Sequence, residues 1–308
     1  MEKTYTVPEE RRGCRLDHCL GKVIPGNSRS FYQKLIKSGY VEVNGKPVSP
    51  GHRLRPGDRI RVMPAGSKAS GPGYGKLSVI YEDKVFAVIN KPPGITVHPP
   101  FSRRDDGGLY MPGIEPALTD ILVKRWPELK KLGPRPGIVH RLDRDTSGIM
   151  VVARSRRAAE QLSRQFTERT VSKMYSCIAE GRFNEKKGVI DAPLIRKAPG
   201  GKKFRVGAGR NAVTEFSVAR NLGDGNSLLE VKPLTGRTHQ IRVHLAAIGH
   251  PVLGDKTYGT GKKEYSFISR QMLHSHKLCF MHPASGKPLM FSAPLPDDFR
   301  TALKKLKI

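Results

Sequence analysis

Long apolar runs are missing from these 308 residues. The run GIMVVA is far shorter than the ~20 residues that a membrane-crossing helix needs. The first twenty residues carry charge all along and show no apolar stretch of signal-peptide length, so neither export nor a membrane partner is expected. Cysteine is scarce too. Cys14, Cys19, Cys177 and Cys279 are too few and too scattered for a disulfide framework, which fits reduced thiols and a cytoplasmic location. Acidic residues are in short supply: 27 Asp and Glu stand against 55 Lys and Arg, a formal net charge of +28. Such a field draws phosphate backbones before any contact is specific, so the first expected partner is a polyanion. The 37% hydrophobic content is nonetheless well above that of a disordered basic tail, and the charges are spread out rather than gathered in one run.

Residues 1–62 read as a small unit of their own. Leu16, Cys19, Leu20 and Val23 recur at helical spacing, and Pro25-Gly26-Asn27-Ser28 supplies a stop followed by a capping serine. A second helix, from about Arg29 to Lys37, sets Phe31, Tyr32, Leu35 and Ile36 on one side and Ser30, Gln33, Lys34 and Lys37 on the other. Strand patterns then flank two turn signals, Asn44-Gly45 and Pro56-Gly57-Asp58, giving a helix-helix-sheet module. Residues 63–76, rich in Gly, Ser, Ala and Pro, read as a flexible linker.

From Leu77 to the end, residues 77–308 alternate groups of neighbouring strands with helices, which predicts an α+β domain on a mixed, mainly antiparallel sheet flanked by helices. Ser155 caps a helix whose Ala158, Ala159, Leu162 and Phe166 share a face, and LCFMHPASGKPLMFSA is a hairpin around Pro283 to Gly286. In THQIRVHLAAIG, Thr238 can cap a helix, Gly249 can end it, and Ile241, Leu245 and Ile248 form its core stripe, with Arg242 free to leave the core for a cleft. Phe299, Leu303 and Leu306 form an apolar stripe that docks a last helix on the sheet. The segment Gly200–Arg210 and the loop Phe101–Gly113 are basic or Gly-rich and are expected to flank the path of a bound chain.

Several common chemistries find no support. Gly207 to Ala212 imitates a dinucleotide fingerprint, but a strand pattern follows where a helix is required, and Gly71 to Lys76 lacks the spacing and hydroxyl of a P-loop. His274, His276, Cys279 and His282 fit no zinc spacing and alternate as a strand does, so no metal is expected. The segment that stands out is Gly137 to Ser155, where the polar block HRLDRDTSG sits between two apolar strand-like runs and so at strand ends. By itself the block does not say which carboxylate acts, or whether it is only an Arg/Asp-laced turn.

Two resemblances sharpen this. SRSFYQKLIKSGYVEVNGKPVSPGHRLRPGDRIRV resembles the RNA-binding domain shared with the small-subunit ribosomal protein S-four. HRLDRDTSG resembles the signature of the RluA family of pseudouridine synthases, and LSVIYEDKVFAVINKPPGITVHP, Lys173-Met174-Tyr175 and Gly236 to Gly259 resemble three further motifs of that family, in its order. The resemblance implies an enzyme that isomerises uridines of structured RNA, with large-subunit ribosomal RNA as the expected partner, acting as a monomer. It implies Asp143 as the catalytic aspartate, with Asp145 in a variable position. Tyr175 becomes the tyrosine lying against the uracil, which helps remove the proton from carbon five, and Arg242 the partner of Asp143. Arg141 becomes the residue that fills the stack when the uridine is flipped out. His140 and Arg237 in these motifs, with Ser30, Lys34 and Lys37 on the N-terminal helix, are expected to contact RNA. No cofactor is expected, since the exchange is redox-neutral and needs no phosphoryl donor. Attack on the sugar, attack on the base and elimination through a glycal all stay open. A non-catalytic ribosome-assembly factor is the competing expectation, and a nucleoside or glycoside hydrolase a further one, although no glycosidase carboxylate pair is evident.

Overall fold

A computed structural model describes residues 3–24, 29–37, 39–63, 77–98, 117–133, 135–198, 201, 203–261 and 263–306, with the backbone alone at 34 and 263. The chain divides into two compact units, residues 1–75 with 98–120 and residues 76–97 with 121–308. The expected linker and the loop around Phe101 fall outside the described residues, apart from Met63, as does the capping Ser28.

In the first unit come β1 (Lys3–Thr6), α1 (Leu16–Val23), α2 (Arg29–Lys37), β2 (Val41–Val43), β3 (Lys46–Pro47) and β4 (Arg59–Val62). The strands form one antiparallel sheet in the order β1-β4-β2-β3. Asn44 and Gly45, at φ of 51° and 76°, make the hairpin turn that their sequence announces, since both central positions need left-handed backbone. Leu16, Leu20, Tyr32, Leu35, Val41 and Ile60 form the core. The strand β1 was not anticipated: KTYT is short, carries little apolar signal and gains its place only by pairing with β4. Gln33 also departs from the expected solvated face, because it reaches the buried Asp17.

The second unit runs through β5 (Ser78–Glu82), β6 (Phe86–Lys91), α3 (Leu118–Arg125, at the unit's boundary in sequence), β7 (Ser147–Ala153), α4 (Arg156–Thr167), β8 (Ser172–Ala179), β9 (Lys187–Asp191), β10 (Leu194–Arg196), β11 (Phe204–Val206), β12 (Val213–Asn221), β13 (Ser227–Pro233), α5 (Gln240–Ala247), β14 (Leu273–Met281), β15 (Pro288–Ser292) and α6 (Asp297–Lys305). Nine strands form one sheet in the order β5-β6-β7-β14-β8-β13-β12-β9, with β15 on β14. Every pairing is antiparallel except β7 with β14, so the α+β class with a mixed, mainly antiparallel sheet holds. All seven residues of β7 are buried, the mark of a central strand covered on both faces. Ser155 caps α4, accepting from the Ala158 N–H at 3.2 Å, and Phe299, Leu303 and Leu306 bury α6 against the rest of the unit.

Two local expectations need correction. Thr238 does not cap α5: His239 occupies that position in left-handed backbone, φ 57°, with no side-chain cap bond. Ile248 is 40% exposed because the helix ends at Ala247, one residue before it, while Gln240, Arg242 and His244 are buried beside Ile241 and Leu245. The sequence shows no strand pattern in Gly200–Arg210, yet this stretch contains β11, which pairs with β10 as a separate two-stranded sheet. Three-residue strands in a Gly- and Lys-rich run leave no usable period in a sequence.

Candidate functional site

The HRLDRDTSG block forms the loop that enters β7, and its main chain is held from several sides. The Lys91 ammonium, wholly buried at the end of β6, donates to the carbonyls of Pro92, Ile95 and Arg144 at 2.8, 3.1 and 3.0 Å. Burial pushes its pKa down to about 7. Arg270, clamped on Asp298, donates to the Asp145 carbonyl at 3.0 Å and to the Ser147 hydroxyl at 3.3 Å. Gly148 then lets β7 meet β14. A Cβ there would stand 2.2 Å from the Ser275 carbonyl oxygen, and its φ of 120° is open to glycine and few others. The loop is thus rigid, and its side chains are aimed rather than floppy.

One pocket of about 540 Å³ gathers His140, Arg141, Asp143, Tyr175, Arg237 and Arg242, six of the nine residues expected to act. Asp145 is not among its lining. The other three, Ser30, Lys34 and Lys37, belong to α2 in the first unit, where Ser30 and Lys37 are exposed and the Lys34 side chain lies outside the described atoms.

Asp143 keeps partial exposure, 18% of its side chain. Its Oδ2 accepts from Arg242 Nη1 at 2.9 Å, while Oδ1 stands 3.9 Å from His239 Nε2. Arg242 comes from α5, whose first turn faces the pocket, and Asp255 takes the rest of its fork: Nε donates to Oδ2 at 2.6 Å and Nη2 to Oδ1 at 2.8 Å. Burial disfavours the Arg242 charge, but its bonds to Asp255 and the charge of Asp143 outweigh that and hold its pKa above the usual range. Asp255 likewise stays below the usual carboxylate range: burial opposes its charge, and Arg242 with the backbone N–H groups of Thr257 and Tyr258 overrides it. The result is a fixed chain of carboxylate, guanidinium and carboxylate, of whose two carboxylates only Asp143 is open to the pocket.

Burial raises the Tyr175 phenol to about 12, with the charge of Asp143 adding to the effect, so the ring stays protonated near neutral pH. His140 stacks on Phe166 at 4.5 Å and accepts from the Val151 N–H at 3.0 Å, and burial takes its pKa down to about 3, so it lines the pocket uncharged. Lys173, whose Nζ donates to the Thr235 carbonyl at 3.1 Å, is lowered by burial to about 8. Arg237 donates to the Asn211 carbonyl at 3.0 Å and is half-buried. Among the described residues no three His, Cys, Asp or Glu side chains gather as metal ligands would, and His274 and His276 hydrogen-bond instead to Ser147 and to the Ala293 carbonyl. No helix of the described residues is long and apolar enough to cross a membrane.

Asp255, Tyr258 and His239 are the unforeseen members of the site: His239 lines the pocket, while Asp255 and Tyr258 stand behind it, bonded to Arg242 and to His239. Each lay inside the Gly236–Gly259 motif, yet only the packing of α5 against the following loop shows which group each side chain meets.

The unit thus joins an antiparallel-dominated sheet with one parallel junction to a loop presenting an arginine-paired aspartate and to a tyrosine in the same pocket. Residues 85–247 match the RNA pseudouridylate synthase family and residues 14–60 the S4 domain. An uncharacterized RNA pseudouridine synthase of Aquifex aeolicus is 38% identical over 95% of this chain and 94% of its own. The ribosomal large subunit pseudouridine synthase D of Neisseria meningitidis is 39% identical over 98% of this chain and 81% of its own. The structure of human RNA pseudouridylate synthase domain containing 1 matches with a TM-score of 0.59 at 30% identity, covering 77% of this chain and 90% of that one. The chain belongs to the RNA pseudouridylate synthase family; it is an RNA-binding isomerase carrying an S4 domain.

Proposed function

We propose that the protein converts specific uridines of large-subunit ribosomal RNA to pseudouridine, with Asp143 as the reacting carboxylate. The observation that carries this is the asymmetry of that carboxylate: Arg242 holds Oδ2 at 2.9 Å, while Oδ1 accepts no hydrogen bond from a described residue and faces the pocket. The rRNA target is supported by the name of the Neisseria meningitidis relative, a ribosomal large subunit pseudouridine synthase.

A uridine in a stack cannot enter an enclosed site, so in this reading it is turned out of its strand, and Arg141, an exposed residue of the pocket lining, fills the gap. Once the base is inside, the bond between N1 and the anomeric carbon breaks and a bond from C5 to that carbon forms. C5 then loses its proton and N1 gains one, so atoms and electrons balance without a second substrate. Asp143 attacks or stabilises the electron-poor centre, or takes a proton from the sugar. Arg242 holds one of its oxygens, and Asp255 keeps Arg242 aimed. Tyr175, protonated at neutral pH, offers its ring face and a hydroxyl to the uracil rather than a ready phenolate. RNA labelled with tritium at C5 of uridine tests the reaction: tritium release without free uracil is expected. Binding with no release would favour an assembly factor, and free uracil a hydrolase. A base-resolution pseudouridine map of ribosomal RNA from cells with and without the protein tests the target.

A further inference from the structure

His239 is a non-glycine residue in left-handed backbone, φ 57° and ψ 16°, at the start of α5. Histidine tolerates that conformation better than most side chains, but it still costs energy, and such strain persists where the surroundings over-determine it. The flanking turn is over-determined: the Gln240 amide accepts from the Arg237 N–H at 3.0 Å and donates to the Val213 carbonyl at 2.9 Å. The conformation sends the imidazole into the pocket, where Nδ1 lies 2.9 Å from the Tyr258 hydroxyl and Nε2 lies 3.9 Å from Asp143 Oδ1.

The tautomer assigned here belongs to the inference. Tyr258 oxygen accepts from the Phe204 N–H at 2.9 Å, and the phenol has one proton of its own to give. Its other partner among the described residues is His239 Nδ1, and with that proton aimed at it the nitrogen is the acceptor. A neutral imidazole with Nδ1 bare carries its proton on Nε2, the atom turned toward Asp143. Asp143, Arg242, Asp255 and Arg141 are the charged groups that face the ring, and burial is the largest influence, pushing its pKa down.

We propose that His239 is a positioning residue for Asp143, its Nε2–H steering Oδ1, the oxygen that Arg242 leaves unused, and its tautomer set by Tyr258 and the Phe204 N–H. At 3.9 Å the two atoms are not yet hydrogen-bonded; a shift of about 1 Å brings them together. A neutral donor suits the task. A second cation on the same carboxylate would hold its electrons too tightly for it to react, whereas a neutral N–H fixes its direction at little cost in reactivity. The inference rests on Asp143 being the reacting group.

Backbone and side chain make opposite demands here, which separates this role from a structural one. Asparagine accepts left-handed backbone well but its amide replaces only the Nδ1 side of the ring; glutamine is more strained there but puts an N–H near the Nε2 position. His239→Asn is therefore expected to melt near the wild-type temperature and to lose about ten- to a hundredfold in single-turnover rate at saturating RNA, with the RNA concentration needed little changed. His239→Gln is expected to melt lower and yet react about tenfold faster than the asparagine variant. Nitrogen-15 NMR of histidine-labelled protein should show a neutral ring with Nδ1 unprotonated, becoming a mixture of tautomers in Tyr258→Phe. A His239→Asn protein at wild-type rate, or a wild-type ring protonated on Nδ1, overturns the inference. Asp143→Asn, assayed alongside, keeps the two claims apart: an active Asp143→Asn protein refutes the role of Asp143 itself, whereas an inactive one beside a fully active His239→Asn protein refutes the positioning role alone.

Discussion

Each unit of the chain contains a carboxylate embedded among arginines, and the two are put to opposite uses. In the S4 unit, Asp17 is fully buried. Its Oδ2 accepts from Arg15 Nη2 and Arg29 Nε, each at 3.1 Å, and from Gln33 Nε2 at 2.7 Å, while Oδ1 accepts from Arg15 Nε at 3.2 Å. Both oxygens are occupied by protein. In the catalytic unit, Asp143 has one oxygen occupied and one turned to a pocket, and its arginine is itself restrained from behind by Asp255. A saturated carboxylate can only hold helices together; a half-satisfied one, paired with a cation that is itself held from behind, has lone pairs left for a substrate. Counting the donors on each oxygen distinguishes the two, where counting salt bridges does not.

The widest effect expected on this contrast lies in binding, which neither carboxylate controls. With a net charge of +28, RNA held mainly through phosphate contacts should lose on the order of a thousandfold in affinity between ~50 and ~200 mM salt, while the saturating rate at Asp143 stays level. Titrations with target and non-target RNA at several salt concentrations check this; an affinity nearly independent of salt would mean that the basic surface is not what holds the RNA. Next comes Asp255→Asn. Freeing the back of the Arg242 fork should misplace Nη1 and lower the single-turnover rate about a hundredfold, with the RNA requirement little altered. A wild-type rate would show that Arg242 aims itself.

Asp17→Asn should act on the other side of the comparison. Removing a buried charge from its donors costs about 2 kcal/mol, below the usual range for such pairs because Arg15 and Arg29 are 40% and 58% exposed and can turn to water. The loss should appear in denaturant unfolding of the full chain and not in the saturating rate. The pH dependence has a definite sign. The Arg15 bond, supported by Gln33 and Arg29, holds Asp17 below the ordinary carboxylate range, so the folded form binds fewer protons than the unfolded one. Its contribution is complete above the unfolded value near ~4 and drains away as the pH falls further. Asp17→Asn should remove that part of the acid sensitivity, and an unchanged acid profile would mean that the cluster is idle.

How far these uses could be seen in advance depended on whether the governing contacts were local. Asp143, Tyr175 and Arg242 could be singled out because each sits in a motif, and the structure places all three in one pocket. The hairpins at Asn44-Gly45 and at Pro283 to Gly286 and the Ser155 cap were likewise written in adjacent residues. Asp255 was invisible because its partner is thirteen positions away across a turn, and Gln33 looked like one more solvated residue of a polar face until Asp17 was found beneath it. Thr238 drew the capping assignment by its residue type; the cap was instead decided by the way the 235–240 turn packs, which forces His239 into left-handed backbone. β1, β10 and β11 are strands only because a neighbour pairs with them, and no periodicity inside three or four residues records that.

That a half-open carboxylate is the reacting group is tested most directly by single-turnover tritium release from C5-labelled RNA at saturating protein, for Asp143→Asn and Asp145→Asn side by side. Asp145 lies two residues along the same loop, where its main-chain carbonyl accepts from Arg270, and it does not line the pocket. The account predicts that Asp143→Asn binds RNA and unfolds as the wild type does but loses on the order of a thousandfold or more in rate, while Asp145→Asn stays within about threefold. Substantial isomerisation by the Asp143→Asn protein, or an equal loss in both, would contradict it.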